Sequence, residues 1–394
     1  MQVDFYDTLM THGYQLKLNT ELNYSASKMQ NKFMDKFIKG GHIDEALKQK
    51  TFDRLNDNNT IGAVIGANLI FRDFKTVLFK KKPRYGYQIG YGYHILAGGS
   101  YGKDVFELGF FGNSGTQGRS MDLENLQFNF QSFHKLSFGF FDKKSKSSVS
   151  LSYIHGTNFI DFSMFDGNLE TSDSTNNLHL LLDGYFHQSN SKKGFFAPNG
   201  WGLALDADFI IPIKWFKGKK AYFQIKLENL GFTRWNEEST IYRKDTIYSF
   251  NGFEIDNIAN IGSLTGDGQS IADTLNIKAE NKRITSWLPA SFSVSKIYDT
   301  HNSSKFQSIF GIHIMTQGGF RPLGYAGVVY RPVKWFYTGI HVMYGGYGQF
   351  RGGLQLNFRA KEKYSFHLST NDIIGLVSSV GTGRSLHFGM KFDL

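Results

Sequence analysis

A serine two residues after a histidine is the pairing in this 394-residue chain best suited to covalent chemistry. In His367-Leu368-Ser369 both polar side chains fall on one face of an extended strand, the adjacency that a hydroxyl nucleophile needs from its general base. The same spacing also serves as an inward polar pair with no chemistry. No companion motif favours catalysis: there is no GxSxG elbow, no H-E-x-x-H, and no glycine-rich phosphate loop between a strand and a helix. The 12 histidines are scattered, and His94, His134, His313, His341 and His387 sit in alternating segments at no metal-ligand spacing. The chain has no cysteine, which excludes disulfides, thiolate metal sites, a Cys nucleophile and a lipidated Cys, and suits an oxidising compartment. The sequence therefore predicts no catalytic, cofactor or metal site, and no enzyme.

A second set of residues points to a lumen. Asp206, Asp208, Lys226, Glu228, Arg351 and Lys391 lie on the polar face of alternating segments, where they would point into a barrel. There they either set solute selectivity or form a salt-bridge network that fills the interior.

Such residues must be held by strands, and the strands are visible. Tyr85, Tyr87, Ile89, Tyr91, Tyr93 and Ile95 alternate with Gly86, Gln88, Gly90, Gly92 and His94. Trp201, Leu203, Leu205, Ala207, Phe209 and Ile211 alternate with small or acidic residues, and Phe223, Ile225 and Leu227 alternate with Gln224, Lys226 and Glu228. Val149, Leu151 and Tyr153 alternate with serines. Roughly 14 to 17 such segments of about ten residues recur, the length a tilted strand uses to cross a bilayer, and the even count usual in such barrels gives 14 or 16. No apolar run approaches the ~18 residues of a membrane helix, and the mean hydropathy of −0.32 is uninformative when lipid meets every second residue. The 38 Phe, 20 Tyr and 43 Gly against 6 Pro suit long strands with aromatic girdles and a roomy interior.

The chain ends inside a strand: Leu386, Phe388, Met390, Phe392 and Leu394 alternate with Ser385, His387, Gly389, Lys391 and Asp393. Such a strand closes a barrel, and aromatic-rich final strands of this kind are read by the outer-membrane assembly machinery. Two regions break the rhythm. Across 26–58, Met29, Phe33 and Phe37 at helical spacing, then Ile43, Ala46, Leu47 and Leu55 after Gly40-Gly41, predict a helical hairpin that plugs the lumen, lies on a membrane, docks a partner or caps one end. Across 233–286 a long insertion holds a Thr265-Gly-Asp-Gly turn and a short helix around Phe253 to Ile261; counting back from a periplasmic C-terminus puts it outside, with the loops near 188–200 and 371–383.

The net charge of +10 gathers at Lys80 to Arg84, Asp142 to Lys146 and Lys217 to Lys220, each read as a solvated turn between strands rather than a nucleic-acid patch. Met1-Gln-Val-Asp shows no basic start and no apolar h-region, so a barrel reading requires that a leader was trimmed or the start misplaced.

The ordered segments Asn23-Tyr-Ser, Asp104-Val-Phe-Glu-Leu-Gly-Phe-Phe-Gly-Asn-Ser, Asn229-Leu-Gly-Phe with Trp235, Tyr248-Ser-Phe-Asn-Gly-Phe-Glu, Leu288-Pro-Ala-Ser-Phe, Tyr364 to Asp372 and Leu386-His-Phe-Gly-Met resemble an outer-membrane barrel family known as a domain of unknown function. It lies near barrels associated with type IX secretion and, more distantly, long-chain fatty-acid channel barrels. The resemblance covers nearly the whole chain and implies an outer-membrane location and association with a secretion assembly; it carries over no functional residue. His367-x-Ser369 also resembles the His-x-Ser arrangement of outer-membrane lipid A deacylases, which are far smaller barrels.

The reading is thus an all-β chain, a single domain over 1–394: a transmembrane antiparallel β-barrel of 14–16 strands with an N-terminal helical hairpin insertion. Its expected role is non-enzymatic, as a transport or secretion-associated component of the bacterial outer membrane. The expected partners are outer-membrane lipid, lipopolysaccharide and a secretion-system protein, with no nucleic acid. The alternatives are a passive channel or hydrophobic-ligand transporter gated by the hairpin near Met29 to Leu55, and a lipid-modifying enzyme built on His367 and Ser369.

Overall fold

The computed structural model describes residues 5–6, 13–78, 83–112, 115–171, 178–189, 194–215, 220–250, 279–300, 302, 304–361 and 363–394. Among these residues the strands are β1 (Phe5–Tyr6), β2 (Tyr14–Ala26), β3 (Asn58–Asp73), β4 (Tyr85–Gly102), β5 (Ser120–Asp122), β6 (Gln127–Asp142), β7 (Ser148–Thr171), β8 (Leu178–Gln188), β9 (Gly200–Lys214) and β10 (Lys220–Trp235). They continue with β11 (Thr240–Phe250), β12 (Ala279–Asn281), β13 (Thr285–Trp287), β14 (Ser291–Asp299), β15 (Phe306–Met315), β16 (Arg321–Val333), β17 (Phe336–Gly346), β18 (Arg351–Ala360), β19 (Tyr364–Thr370) and β20 (Gly383–Asp393). Four helices accompany them: α1 (Asn31–Lys39), α2 (Glu45–Phe52), α3 (Lys103–Phe111) and α4 (Ile373–Val377).

Fourteen of the strands form a closed antiparallel barrel in the order β2-β3-β4-β6-β7-β9-β10-β14-β15-β16-β17-β18-β19-β20, with β20 pairing back onto β2 from Gln15↔Asp393 to Ser25↔Gly383. The strand number is therefore the lower of the two even values expected. Closure is tight at the seam: the Tyr14 N–H reaches the Leu394 carbonyl at 2.9 Å and the Leu394 N–H returns to the Tyr14 carbonyl at 2.7 Å. With no edge left, every ladder group on these strands can find a partner.

The alternation read in the sequence sorts the two faces. Large apolar side chains stand outward in cross-strand rows such as Ile89↔Phe138↔Leu151↔Leu205 and Leu368↔Phe388. Leu151 is 58% exposed and Ile340 66%. Polar and small residues, including Gln88, Ser150, Ser152, His387 and Lys391, are buried on the inner face.

The two ends of the barrel differ. Beside the termini the connections are short: residues 334–335 join β16 to β17 and 361–363 join β18 to β19. In the 143–147 turn the Asp142 carboxylate accepts the N–H groups of Lys144 and Ser145 and pairs with Arg84, so this basic run is a turn, whereas most of the runs at 80–84 and 217–220 lies outside the described residues. All four helices lie at the opposite end. There β7, 24 residues long, outgrows the barrel: Ser148–Gly156 pairs with β9, while Ile160–Thr171 pairs with β8, which in turn pairs with β11. The helix expected around Phe253 to Ile261 and the turn at Thr265 lie outside the described residues.

The hairpin between β2 and β3 turns at Gly40, whose φ of 73° is left-handed and favours glycine. Asp44 caps α2 by accepting the Leu47 N–H at 2.9 Å, a bond that holds its carboxyl below the usual range. The buried face of the hairpin, Met29, Phe33, Met34 and Leu47, packs on Phe106 of α3, with Phe110 and Phe111 beside it. The Phe33 ring lies 5.4 Å from that of Phe106 and 5.1 Å from that of Phe110. Asn31, fully buried, ties this layer to the segment around α4: its side-chain N–H groups reach the carbonyls of Gly375 at 2.9 Å and Gly383 at 3.0 Å, and its Oδ1 accepts the Tyr24 hydroxyl at 2.6 Å.

Candidate functional site: the lumen and its closed mouth

The inner wall encloses a cavity of about 350 Å³. The six charged residues singled out in the sequence, Asp206, Asp208, Lys226, Glu228, Arg351 and Lys391, all line it, and Gly66, Gly90 and Gly92 leave it room. The charges form a network that braces the wall, and the network still leaves space beside it. Asp206 Oδ1 accepts Lys135 Nζ at 2.6 Å and the Asn229 N–H at 2.9 Å, its Oδ2 accepts the Ser152 hydroxyl at 3.0 Å, and Lys135 donates also to Asn229 Oδ1 at 2.7 Å. Asn229 reaches this position from a bulge in β10, with φ of 58°. Gln224 donates to Asp208 at 2.9 Å, Lys226 pairs with Glu228 at 2.9 Å, and Lys391 pairs with Asp393 at 2.8 Å. Lys135 is a member that the charge survey missed; the outward Leu136 and Phe138 beside it were the signal.

Three loop residues close the lumen toward the helical end. Tyr347, between β17 and β18, reaches across to β3 and β4, where its ring lies on the inward glycines Gly62 and Gly98, themselves a cross-strand pair. Its backbone carbonyl accepts the Thr60 hydroxyl at 2.9 Å. Phe320, between β15 and β16, packs edge-on against it at 5.2 Å, and the preceding Gly319, at φ 75°, comes so near Gly99 that a β-carbon would lie 2.2 Å from the Gly99 carbonyl oxygen. Leu288, between β13 and β14, is buried among the inward Leu96, Phe133, Ile154 and Ala204. Motif reasoning had no means to find these residues, since each is a single side chain on a loop. The helical hairpin packs on α3 and on the ends of β2, β3 and β4 at this end of the barrel.

His367 and Ser369 do meet. Both are buried on the inner face of β19, His367 Nε2 lies 2.9 Å from Ser369 Oγ, and Nδ1 lies 2.5 Å from Asn357 Oδ1 on β18. With Nδ1–H donating to the amide oxygen, Nε2 is left to accept the serine proton, the polarity a nucleophile and base require. Neither residue lines the cavity, however. Next to them Asn371 bridges His341 at 3.2 Å and His387 at 2.9 Å, and the Ser385 hydroxyl lies 3.1 Å from His387. His94 and His313 line the cavity, while His134 faces outward. Among the described residues no group of three or more His, Asp or Glu side chains is placed to hold a metal ion.

A closed antiparallel barrel of 14 strands, polar within and apolar without, is an outer-membrane-type β-barrel in its architecture. The chain belongs to the family of unknown function DUF5723, whose profile matches residues 13–370. No curated protein matches it. Among solved structures it is similar to the P. putida toluene transporter TodX, at 7% identity and a TM-score of 0.35, covering 96% of this chain and 88% of that one. It is also similar to the Ralstonia pickettii toluene transporter TbuX, at 7% identity and a TM-score of 0.29, with 98% and 90% covered. A third is the transport unit of the Escherichia coli autotransporter AIDA-I, at 6% identity and a TM-score of 0.25, with 97% and 90% covered.

Proposed function

We propose that the chain is a non-enzymatic barrel of the bacterial outer membrane whose lumen is a conduit for small polar solutes, shut in this conformation by its own loops. One observation carries the reading: outward rows of exposed Leu, Ile, Phe and Trp encircle a barrel whose inner face is polar and still holds a cavity of about 350 Å³. In water the outer rows would be a large apolar liability, whereas in a bilayer they are the solvent-matched face. The short connections then face the periplasm and the helical end faces outside. Conduction requires Tyr347 to leave the glycine seat on β3 and β4, together with the Phe320 ring packed on it. The test is detergent-dependent extraction with heat-modifiable gel migration, followed by planar-bilayer conductance. Wild type is expected to be nearly silent and Tyr347→Ala to conduct; a chain soluble without detergent refutes the membrane reading, and a silent Tyr347→Ala refutes the conduit.

A second reading, a component associated with secretion of the type IX kind, draws on the β7–β8–β11 sheet that rises beyond the barrel and offers a partner a surface outside the lumen. Recovery of a stable partner from native membranes in mild detergent would favour it. The lipid-modifying reading is the weakest, because His367 and Ser369 are buried on the inner face of β19, outside the cavity lining and away from the outer face.

A further inference from the structure

The loop that leads into β9 folds back over the outside of the barrel. Its residues 194–199 lie against the outward faces of β6 and β7, where one cross-strand row reads Tyr93↔His134↔His155↔Trp201. His134 Nε2 donates to the Phe195 carbonyl at 2.7 Å, and His155 Nε2 donates to the Phe196 carbonyl at 3.1 Å. A carbonyl only accepts, so each Nε2 carries a proton, and in the neutral His134 ring Nδ1 accepts the Tyr91 hydroxyl at 2.8 Å. The flanking carbonyls are also used: Gly194 accepts the Ala197 N–H at 3.1 Å and Ala197 accepts the Asn199 N–H at 2.9 Å. Four consecutive carbonyls of a surface loop therefore have protein donors. In water that is unnecessary; in hydrocarbon it is required, because an unpaired carbonyl there costs several kcal/mol.

The side chains point the other way. Phe195 is 54% and Phe196 65% exposed, although both rings pack on His134, at 4.6 and 4.7 Å between centroids. They continue the row that ends in Trp201, one step above Tyr91, Leu136, Tyr153 and Leu203.

Resting on the outer-membrane reading above, we propose that Phe195 and Phe196 are immersed in the outer leaflet at the boundary of acyl chain and headgroup, and that His134 and His155 are positioning residues that hold the loop there. The occupant is lipid rather than protein, because the two rings extend a girdle that the barrel wall already presents to the bilayer. Two rings also fall far short of the roughly 800 Å² per partner of a stable protein interface.

Because the chain has no cysteine, single substitutions can carry a nitroxide in proteoliposomes without background. Three sites suffice: Phe196→Cys, Leu151→Cys on the outward band, and Lys39→Cys on exposed α1. The expected result is that 196 groups with 151, open to lipid-dissolved oxygen and closed to an aqueous nickel chelate, while 39 shows the reverse. Adding His134→Ala with His155→Ala should make the label at 196 mobile and shift it toward nickel, leaving 151 unchanged, whereas His155→Gln, which keeps an N–H donor, should preserve the position. If 196 groups with 39 while 151 reports lipid, the loop lies in water and the inference falls although the barrel reading stands. Shielding of 196 from both reagents means protein contact and also overturns it. If 151 itself reports water, the membrane reading fails first.

Discussion

The ring of Tyr347 occupies the space that a side chain at Gly98 would need: a β-carbon there would lie 1.9 Å from the Tyr347 hydroxyl oxygen. The two residues belong to different walls of the barrel, so this contact spans the lumen. Gly98→Val is expected to cost about 1–3 kcal/mol by overpacking and to cost much less in a Tyr347→Ala background. Urea unfolding of the four chains in detergent, read by heat-modifiable migration, gives the coupling; additive costs would mean that the ring moves aside freely and seals nothing.

Asn31 is the pin between the hairpin and the α4 segment. Asn31→Ala strands the buried carbonyls of Gly375 and Gly383, and about 1–3 kcal/mol of local stability is expected to go with it. Hydrogen exchange should then rise across residues 27–39 and 373–383 and stay unchanged in β6 and β7. Unaltered exchange over 373–383 would show that the two segments are not coupled through this side chain.

Lys135 and Asp206 are partners inside the wall, so removing one is worse than removing both. Lys135→Met leaves the half-buried Asp206 without its cation and is expected to destabilise the barrel by about 1–3 kcal/mol, while Lys135→Met with Asp206→Leu should recover most of that loss. A double variant as unstable as the single one would mean that the network, not the pair, holds β6 against β9.

Asp372, at the helical end, caps α4 by accepting the Gly375 N–H at 2.7 Å. Burial raises its carboxyl above the usual range, with the Gly375 N–H and Arg351 opposing. A raised folded value means that the stabilising contribution is full below the usual carboxyl range and is lost as pH rises through the folded value. Asp372→Asn keeps the cap acceptor and removes the titration, so its melting midpoint should match wild type in acid and equal or exceed it at neutral pH. A variant that is less stable only at neutral pH would reverse the sign.

Much of the barrel was legible because period-two alternation is a local signal repeated many times: Ile89, Leu151, Leu205 and Leu386 each face outward as their neighbours in sequence require. The same rule places Asp206 and Lys391 at the cavity. What alternation cannot reach is whatever crosses the lumen. Tyr347, Phe320 and Leu288 are single residues on loops, and their partners Gly62, Gly98 and Ala204 lie far away in sequence, so only the closed topology brings them together. The His367 and Ser369 pair was visible from its spacing; that Asn357 completes it depends on the register of β18 against β19, which spacing alone does not set.

The central claim is that the outward face of the barrel meets lipid, and the final strand tests it most directly. Nitroxides placed singly at 386 to 392 in proteoliposomes should alternate: 386, 388, 390 and 392 accessible to lipid-dissolved oxygen and protected from aqueous nickel, with 387, 389 and 391 shielded from lipid-dissolved oxygen, as the outward Leu386 and the buried, inward His387 require. A flat profile, or even-numbered positions protected from both reagents, would mean that β20 is buried in a water-soluble core and would contradict the account.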